Sequence, residues 1–156
     1  MKTASIIYLL FTVSFCQQIM NYRASEIPKT RRMLASIPDK QISTYPNYNQ
    51  YLAATAVVNN EKIVISWTDS SRDGSETSIY AKVILFNGME ETPDFQVNQY
   101  TLNSQDYSDI AALSNGSFVI VWNSYNQLGN GSWDIFARIY DPSNNAGNEF
   151  SINADL

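Results

Sequence analysis

The amino-acid sequence nearly repeats itself after 55 residues, and this period constrains the fold more than any other feature. The positions that are identical at this offset are Tyr45/Tyr100, Gln50/Gln105, Ala56/Ala111, Asn60/Asn115, Val64/Val119, Ile65/Ile120, Trp67/Trp122, Gly74/Gly129, Phe95/Phe150 and Asn98/Asn153. One inserted residue after the shared glycine also aligns Ile79 with Ile135 and Ala81 with Ala137. A period of this length is typical of units that bury apolar faces against copies of themselves.

The repeat region begins with a fragment of a unit. Residues 40–43 match residues 95–98 and 150–153 in the same register. The sequence therefore predicts a first repeat unit over residues 40–98, which includes a leading strand, and a second unit over residues 99–156.

Each unit has the pattern of four short strands. In the second unit we expect them at residues 108–113, 117–124, 134–141 and 149–153, with Asn115-Gly116 as a hairpin turn. The second strand is apolar on both faces, which indicates a strand covered by a layer on each side. We therefore predict an all-β fold of two four-stranded, antiparallel, propeller-blade-like units, with a small β-sandwich as the alternative.

The second unit resembles a known class of repeat. Residues 109–122, 134–141 and 147–153 resemble the tandem repeats of about 50 residues found in large secreted and cell-surface proteins of bacteria and ciliates. The first unit shares the Asp73-Gly74-Ser75 turn of that family, where the second has Leu128-Gly129-Asn130. The resemblance implies blade-like packing and an extracellular setting, and it implies no activity.

The N-terminus has the pattern of an export signal. A lysine at position 2 precedes an apolar run over residues 6–15, which predicts a secretory signal peptide over residues 1–16. A lipoprotein anchor on Cys16 is the alternative. Residues 17–39 are predicted to be a linker or disordered arm, and no later segment reaches the roughly 20 apolar residues that a membrane span needs. We expect a secreted or cell-surface protein.

Composition excludes several kinds of chemistry. The chain has no histidine and one cysteine, and that cysteine lies in the predicted signal peptide. From Thr44 onward four basic residues stand against thirteen acidic ones. Such a surface repels phosphate backbones, so we expect no nucleic-acid partner.

One loop offers a candidate ligand site. Trp67 and Trp122 recur at the same strand position and are expected to pack the core, whereas Trp133 has no counterpart. With Asn130 and Asp134 beside it, Trp133 could bind a ligand by stacking and hydrogen bonding. The alternative is a tryptophan folded onto its own unit.

Two further sites involve oxygen-rich loops. Asp69, Asp73 and Glu76 surround a glycine, which suits a calcium ion, although a solvated polar loop explains the same residues. Apart from this possible calcium, we expect no cofactor. Asn115 and Asn130 begin N-x-Ser sequons and are glycosylation candidates.

These features favour a non-catalytic β-repeat protein for recognition, adhesion or coat assembly, with glycans or surface proteins as partners. Two blades cannot close a ring, so a homo-oligomer is expected. The alternative is a sialidase- or glycosidase-like enzyme that uses paired carboxylates, drawn from candidates such as Asp69, Asp106 and Asp109.

Overall fold

A computed structural model describes residues 39–47 and 49–153 and shows eight β-strands. The strands are β1 (Gln50–Val58), β2 (Lys62–Ser70), β3 (Thr77–Leu85), β4 (Phe95–Gln96), β5 (Gln105–Ala112), β6 (Phe118–Tyr125), β7 (Trp133–Tyr140) and β8 (Phe150–Ser151). All eight belong to one unit of the chain, which begins at Gln41. The predicted signal peptide and residues 17–38 of the predicted linker lie outside the described residues.

The strands form two antiparallel sheets. Sheet 1 has the order β1-β2-β3-β4 and sheet 2 has the order β5-β6-β7-β8. The prediction of an all-β fold with two four-stranded units is therefore confirmed. In the part of the chain that the structure describes, no helix is long and apolar enough to cross a membrane.

The first strand of each sheet carries the same irregularity. The β1–β2 register shifts between Tyr51 and Ala54, and the β5–β6 register shifts between Asp106 and Asp109. Leu52 and Tyr107, which lie 55 residues apart, both have positive φ, at 53° and 58°. The bulge lets β5 begin at Gln105, three residues before the strand start that the sequence predicted.

The two sheets bury opposite faces against each other. The Trp face of each sheet is the one that carries Trp67 or Trp122, and the Val face is the one that carries Val64 or Val119. The shared core joins Val58, Val64, Ile79, Ala81, Val83 and Val97 of sheet 1 to Phe118, Ile120, Trp122, Phe136 and Tyr140 of sheet 2. Sheet 1 therefore contributes its Val face and sheet 2 its Trp face.

This packing relates the sheets head to tail, as successive propeller blades are related. A sandwich of two sheets related by a two-fold axis would bury the same face of both. A buried hydrogen bond crosses the interface between Ser66 Oγ in β2 and Ser108 Oγ in β5, at 2.8 Å. Trp67 and Trp122 are both buried at the equivalent strand position, as the repeat predicts.

The leading segment, residues 41–47, is bound to sheet 1 in the way that the end of unit 1 is bound to sheet 2. Lys82 Nζ donates to the Ile42 carbonyl at 2.7 Å, and Arg138 Nη1 donates to the Val97 carbonyl at 2.8 Å. Ile42 and Val97 are 55 residues apart. The leading segment therefore occupies the position of the last strand of a preceding unit.

Candidate functional site

Apolar side chains line the Val face of sheet 2. Several of them are exposed, although the aligned residues of sheet 1 are buried. Cross-strand pairing places Val119 opposite Ile139 and Val121 opposite Ala137, while Phe150 pairs with Ala137 from the other side. Ile135, Ile139 and Phe150 are 42%, 44% and 46% exposed. Scattered exposed apolar residues need no explanation, but a contiguous apolar face indicates a binding surface.

The same positions are covered in sheet 1. Ile79 and Val83, which align with Ile135 and Ile139, are both fully buried. Their side chains pack against the Trp face of sheet 2. The Val face of sheet 2 therefore keeps the apolar residues of a packing surface, although no other sheet of the described residues covers it.

An aromatic pair closes one end of this face. Tyr125 and Trp133 are cross-strand neighbours, with ring centroids 5.4 Å apart and planes inclined by 52°. Trp133 is 48% exposed. It is therefore both packed on its own sheet and open to solvent, which combines the two alternatives that the sequence left open. The sequence analysis missed Tyr125, because its role depends on the β6–β7 register.

The structure separates Trp133 from the polar residues that were expected to work with it. Trp133 is the first residue of β7 rather than a loop residue, so Asp134 points to the opposite face. Asp134 is buried there and accepts hydrogen bonds from Asn130 Nδ2 at 3.0 Å and Asn153 Nδ2 at 3.3 Å. Asn130 and Asp134 are brought together, and they tie the β6–β7 loop to the end of unit 2.

The carboxylates of the predicted calcium loop have separate protein partners. Asp69 is buried and lies 3.5 Å from Arg72, and Asp73 accepts from Ser75 N at 3.0 Å and from Gln96 Nε2 at 3.1 Å. Glu76 accepts a hydrogen bond from the Ser104 hydroxyl. Among residues 39–47 and 49–153, no group of three or more acidic, cysteine or histidine residues could hold a metal ion.

Arg72 has a role that no sequence pattern predicts. Its guanidinium lies over the Tyr80 ring at 4.0 Å and the Tyr45 ring at 4.8 Å, and Nη1 is 3.2 Å from Asp94 Oδ2. Asp94 also accepts from the Thr44 backbone N–H and hydroxyl, each at 2.9 Å. This cluster binds the leading segment to sheet 1 through charge and cation–π contacts.

Asp106 is the acid whose environment most favours the protonated form. Burial is the main cause that raises the pKa of Asp106; the Thr77 side chain lowers it and the negative charge of Glu76 raises it, with a net upward shift. Its Oδ1 is buried without a hydrogen-bond partner. Asp109 lies on the Val face of sheet 2, exposed to solvent, and accepts from the N–H of Ile110. A raised pKa of Asp106, to which the charge of Glu76 contributes, is the feature of the described residues that favours the enzymatic alternative.

Both sequons lie in turns. Asn115 is exposed and its Oδ1 accepts from Ser117 N at 3.1 Å, which closes the β5–β6 hairpin. Asn130 is exposed as well, but its amide nitrogen donates to Asp134. Both asparagines stay predicted glycosylation sites, and modification of Asn130 would replace that hydrogen bond.

No protein-family model matches the chain, and neither the curated proteins nor the solved structures include a significant match.

Proposed function

We propose that this is a non-catalytic, secreted or cell-surface β-repeat protein that acts in recognition, adhesion or coat assembly through the Val face of sheet 2. The observation that carries the proposal is the difference between equivalent positions. Ile79 and Val83 are fully buried in sheet 1, whereas Ile135 and Ile139 are nearly half exposed in sheet 2. An apolar surface shaped for packing, and left open, is a surface suited to a partner.

The chemistry of this face limits what can bind it. Its centre is aliphatic, since it is built from valine and isoleucine, and its end carries the Tyr125–Trp133 pair. Aliphatic surface binds a complementary apolar protein face, and paired aromatic rings stack on the apolar face of a sugar. A surface protein, or a glycan carried on one, fits both parts.

The extracellular setting rests on the predicted signal peptide and on the resemblance to secreted and cell-surface repeats. The acidic repeat region, with four basic and thirteen acidic residues from Thr44 onward, suits solubility outside the cell. Both arguments come from the sequence, and they support a setting in which the open face meets surface molecules.

Binding to an array of glycans and extracellular proteins tests the proposal. We expect the wild-type protein to bind a subset of the array, and Ile139→Lys to lose that binding, because the substitution places a charge among the exposed apolar side chains of the face. Leu102→Lys is the matched control, since Leu102 is exposed and lies outside the face. Equal binding by wild type and Ile139→Lys would contradict the proposal.

A second candidate function is hydrolysis of a glycosidic bond, favoured by the raised pKa of Asp106 and the neighbouring Glu76. A panel of glycosides tests it. Hydrolysis that Asp106→Asn abolishes, while the variant stays folded by circular dichroism, would replace the non-catalytic proposal with an enzymatic one.

A further inference from the structure

We infer that the partner of the Val face of sheet 2 is the Trp face of sheet 1 of a second copy of this chain, docked head to tail. The inference rests on the proposed function, in which the same face is the binding surface, and it names the occupant. Its basis is the interface between the two sheets of one chain, which supplies a template for the contact between two chains.

The template consists of buried apolar residues from both sheets. Val64, Ala81 and Val83 on the Val face of sheet 1 belong to one core with Phe118, Trp122 and Phe136 on the Trp face of sheet 2. The contact also includes the Ser66–Ser108 hydrogen bond and a hydrogen bond from Arg138 of unit 2 to the Val97 carbonyl of unit 1.

The first half of the template is repeated on sheet 2. Its Val face has apolar residues at the positions that form the interface in sheet 1, and four of these residues are exposed, whereas Val119 is partly buried and Ala137 is buried. The aligned pairs, with the buried residue of sheet 1 first, are Val58/Leu113, Ile79/Ile135, Val83/Ile139 and Val97/Ile152.

The second half of the template is repeated on sheet 1. Its Trp face has apolar or aromatic residues at five positions that are buried on the Trp face of sheet 2, whereas Thr55 stands where sheet 2 has Ile110. The aligned pairs are Ile63/Phe118, Ile65/Ile120, Trp67/Trp122, Tyr80/Phe136 and Ile84/Tyr140. Trp67 and Tyr80 are already buried within the single chain, whereas the β1 edge of this face is open, since Ala53, which aligns with the buried Ser108, is exposed. One chain therefore carries both surfaces of the interface, each on a different sheet.

The leading segment limits how the two copies meet. In the template, the Val97 carbonyl of unit 1 accepts a hydrogen bond from Arg138 of unit 2. Ile152 aligns with Val97, and Lys82 aligns with Arg138. In a docked pair, Ile152 of the first copy would therefore approach Lys82 of the second. That position is already held by Ile42 of the second copy, whose carbonyl accepts from Lys82. Either Ile42 or Ile152 has to move when the copies dock.

The symmetry of the contact follows from the template. Two different surfaces meet, so the interface is heterologous and propagates until it closes into a ring or extends as a filament. With two units per chain, closed propellers of roughly four to eight blades correspond to two to four copies.

Disulfide trapping tests the inference. Val121 aligns with Ser66 and Ala53 aligns with Ser108, whose hydroxyl oxygens lie 2.8 Å apart in the template. In a Cys16→Ser background, which leaves no other thiol, we expect Val121→Cys mixed with Ala53→Cys to form covalent dimers under mild oxidation. Ser66→Cys/Ser108→Cys within one chain is the positive control, and Leu102→Cys mixed with Ala53→Cys is the negative control.

The outcomes separate this inference from the proposed function. Dimers in the mixture, and not in either single variant alone, support head-to-tail docking. Dimers of Val121→Cys alone would show face-to-face pairing and overturn it. No dimer, with array binding retained, would overturn the inference and leave the proposed function in place. Dimers without array binding would support the inference and reduce the proposed function to self-assembly.

Discussion

Asp94 is the residue on which the attachment of the leading segment depends most. Its carboxylate is buried and lies 2.9 Å from the ammonium of the fully buried Lys82 and 3.2 Å from Arg72. Burial by itself would raise the pKa of Asp94, but hydrogen bonds from Lys82 and Thr44 outweigh it and lower the pKa below 3.8. Glu149, which aligns with Asp94, accepts from the N–H groups of Gln99 and Tyr100. An acid at this position therefore joins successive units in both places.

The lowered pKa of Asp94 predicts a loss of stability in acid. The folded protein binds this proton less tightly than the unfolded chain, so the stabilisation is fully present above about pH 4 and is lost as the pH falls through the folded pKa. Asp94→Asn should lower the free energy of unfolding at neutral pH by about 3 kcal/mol, because Lys82 stays buried without its main partner. The substitution should also make the free energy of unfolding depend less on pH in acid.

Urea unfolding at several pH values measures both effects. Asp109→Asn is the matched control, since Asp109 is exposed and should change stability by no more than about 0.5 kcal/mol. If the Asp94→Asn variant is as stable as wild type at neutral pH, the ion pair between Asp94 and Lys82 does not stabilise the fold.

Asp106 predicts a pH dependence of stability with the opposite sign to that of Asp94. Its pKa is raised by burial and by Glu76, so the folded state binds the proton more tightly than the unfolded chain does. Stability contributed by this site is present at low pH and is lost as the pH rises through the raised pKa. Asp106→Asn should therefore be more stable than wild type at neutral pH by up to about 1 kcal/mol, and the difference should vanish in acid. Thermal unfolding at pH 7 and at pH 3 decides it, and a destabilised variant at pH 7 would contradict the assignment.

For single residues, the sequence predicted which side chains lie in the core better than it predicted which residues contact each other. Trp67 and Trp122 could be placed in the core because they recur. Trp133 and Asp134 could not be assigned correctly, because the assignment depends on whether β7 begins before or after Trp133. A shift of one residue in a strand exchanges the two faces. The Arg72–Tyr80 contact joins a loop to a strand, and no local pattern predicts it.

At the scale of the strand, the bulges of β1 and β5 are the most specific shared feature. Leu52 and Tyr107 adopt left-handed backbone conformations, which cost a non-glycine residue roughly 1–2 kcal/mol. Both are exposed, so packing of the side chain does not account for their conformation. The bulge brings Ser108 into the interface, where it bonds Ser66.

The left-handed backbone conformation at Tyr107 predicts an order of stability among variants at that position. At Tyr107, glycine should be at least as stable as tyrosine, and valine should be less stable by about 1 kcal/mol or more, since a branched Cβ fits positive φ poorly. At Thr55, an exposed residue of β1 that is paired with Ile65 and has no positive φ, the order should be reversed, with valine above glycine. Chemical denaturation of the four variants measures this, and the same order at both sites would refute the bulge.

Strand existence was predictable from the sequence, whereas the ends of strands were predictable only in some cases. The alternation in residues 117–124 and the Asn115-Gly116 turn predicted β6 to within a residue at each end. The last strand was predicted over residues 149–153 but pairs only at Phe150–Ser151. Asn153 instead uses its side chain, and its Oδ1 accepts from Ile135 N at 2.7 Å. A side chain that takes over a ladder hydrogen bond leaves no periodic signal.

At the scale of the whole molecule, the described chain contains two related sheets and only one complete interface between them. The Val face of sheet 1 meets the Trp face of sheet 2, which leaves the opposite surface of each sheet without a second sheet among the described residues. The sequence predicted the uncovered face, because it showed two units with apolar residues on both faces of the second strand. It could not predict which face would be open, because that depends on the head-to-tail packing.

Docking of the Val face of sheet 2 onto a second copy makes the size of the particle in solution depend on protein concentration, which sedimentation velocity measures. From low to high micromolar concentration, we predict that wild type and Leu102→Lys associate reversibly, whereas Ile139→Lys stays monomeric with unchanged cooperative unfolding. Concentration-independent monomers for all three proteins would contradict docking of the Val face onto a second copy and favour a self-contained pair of sheets.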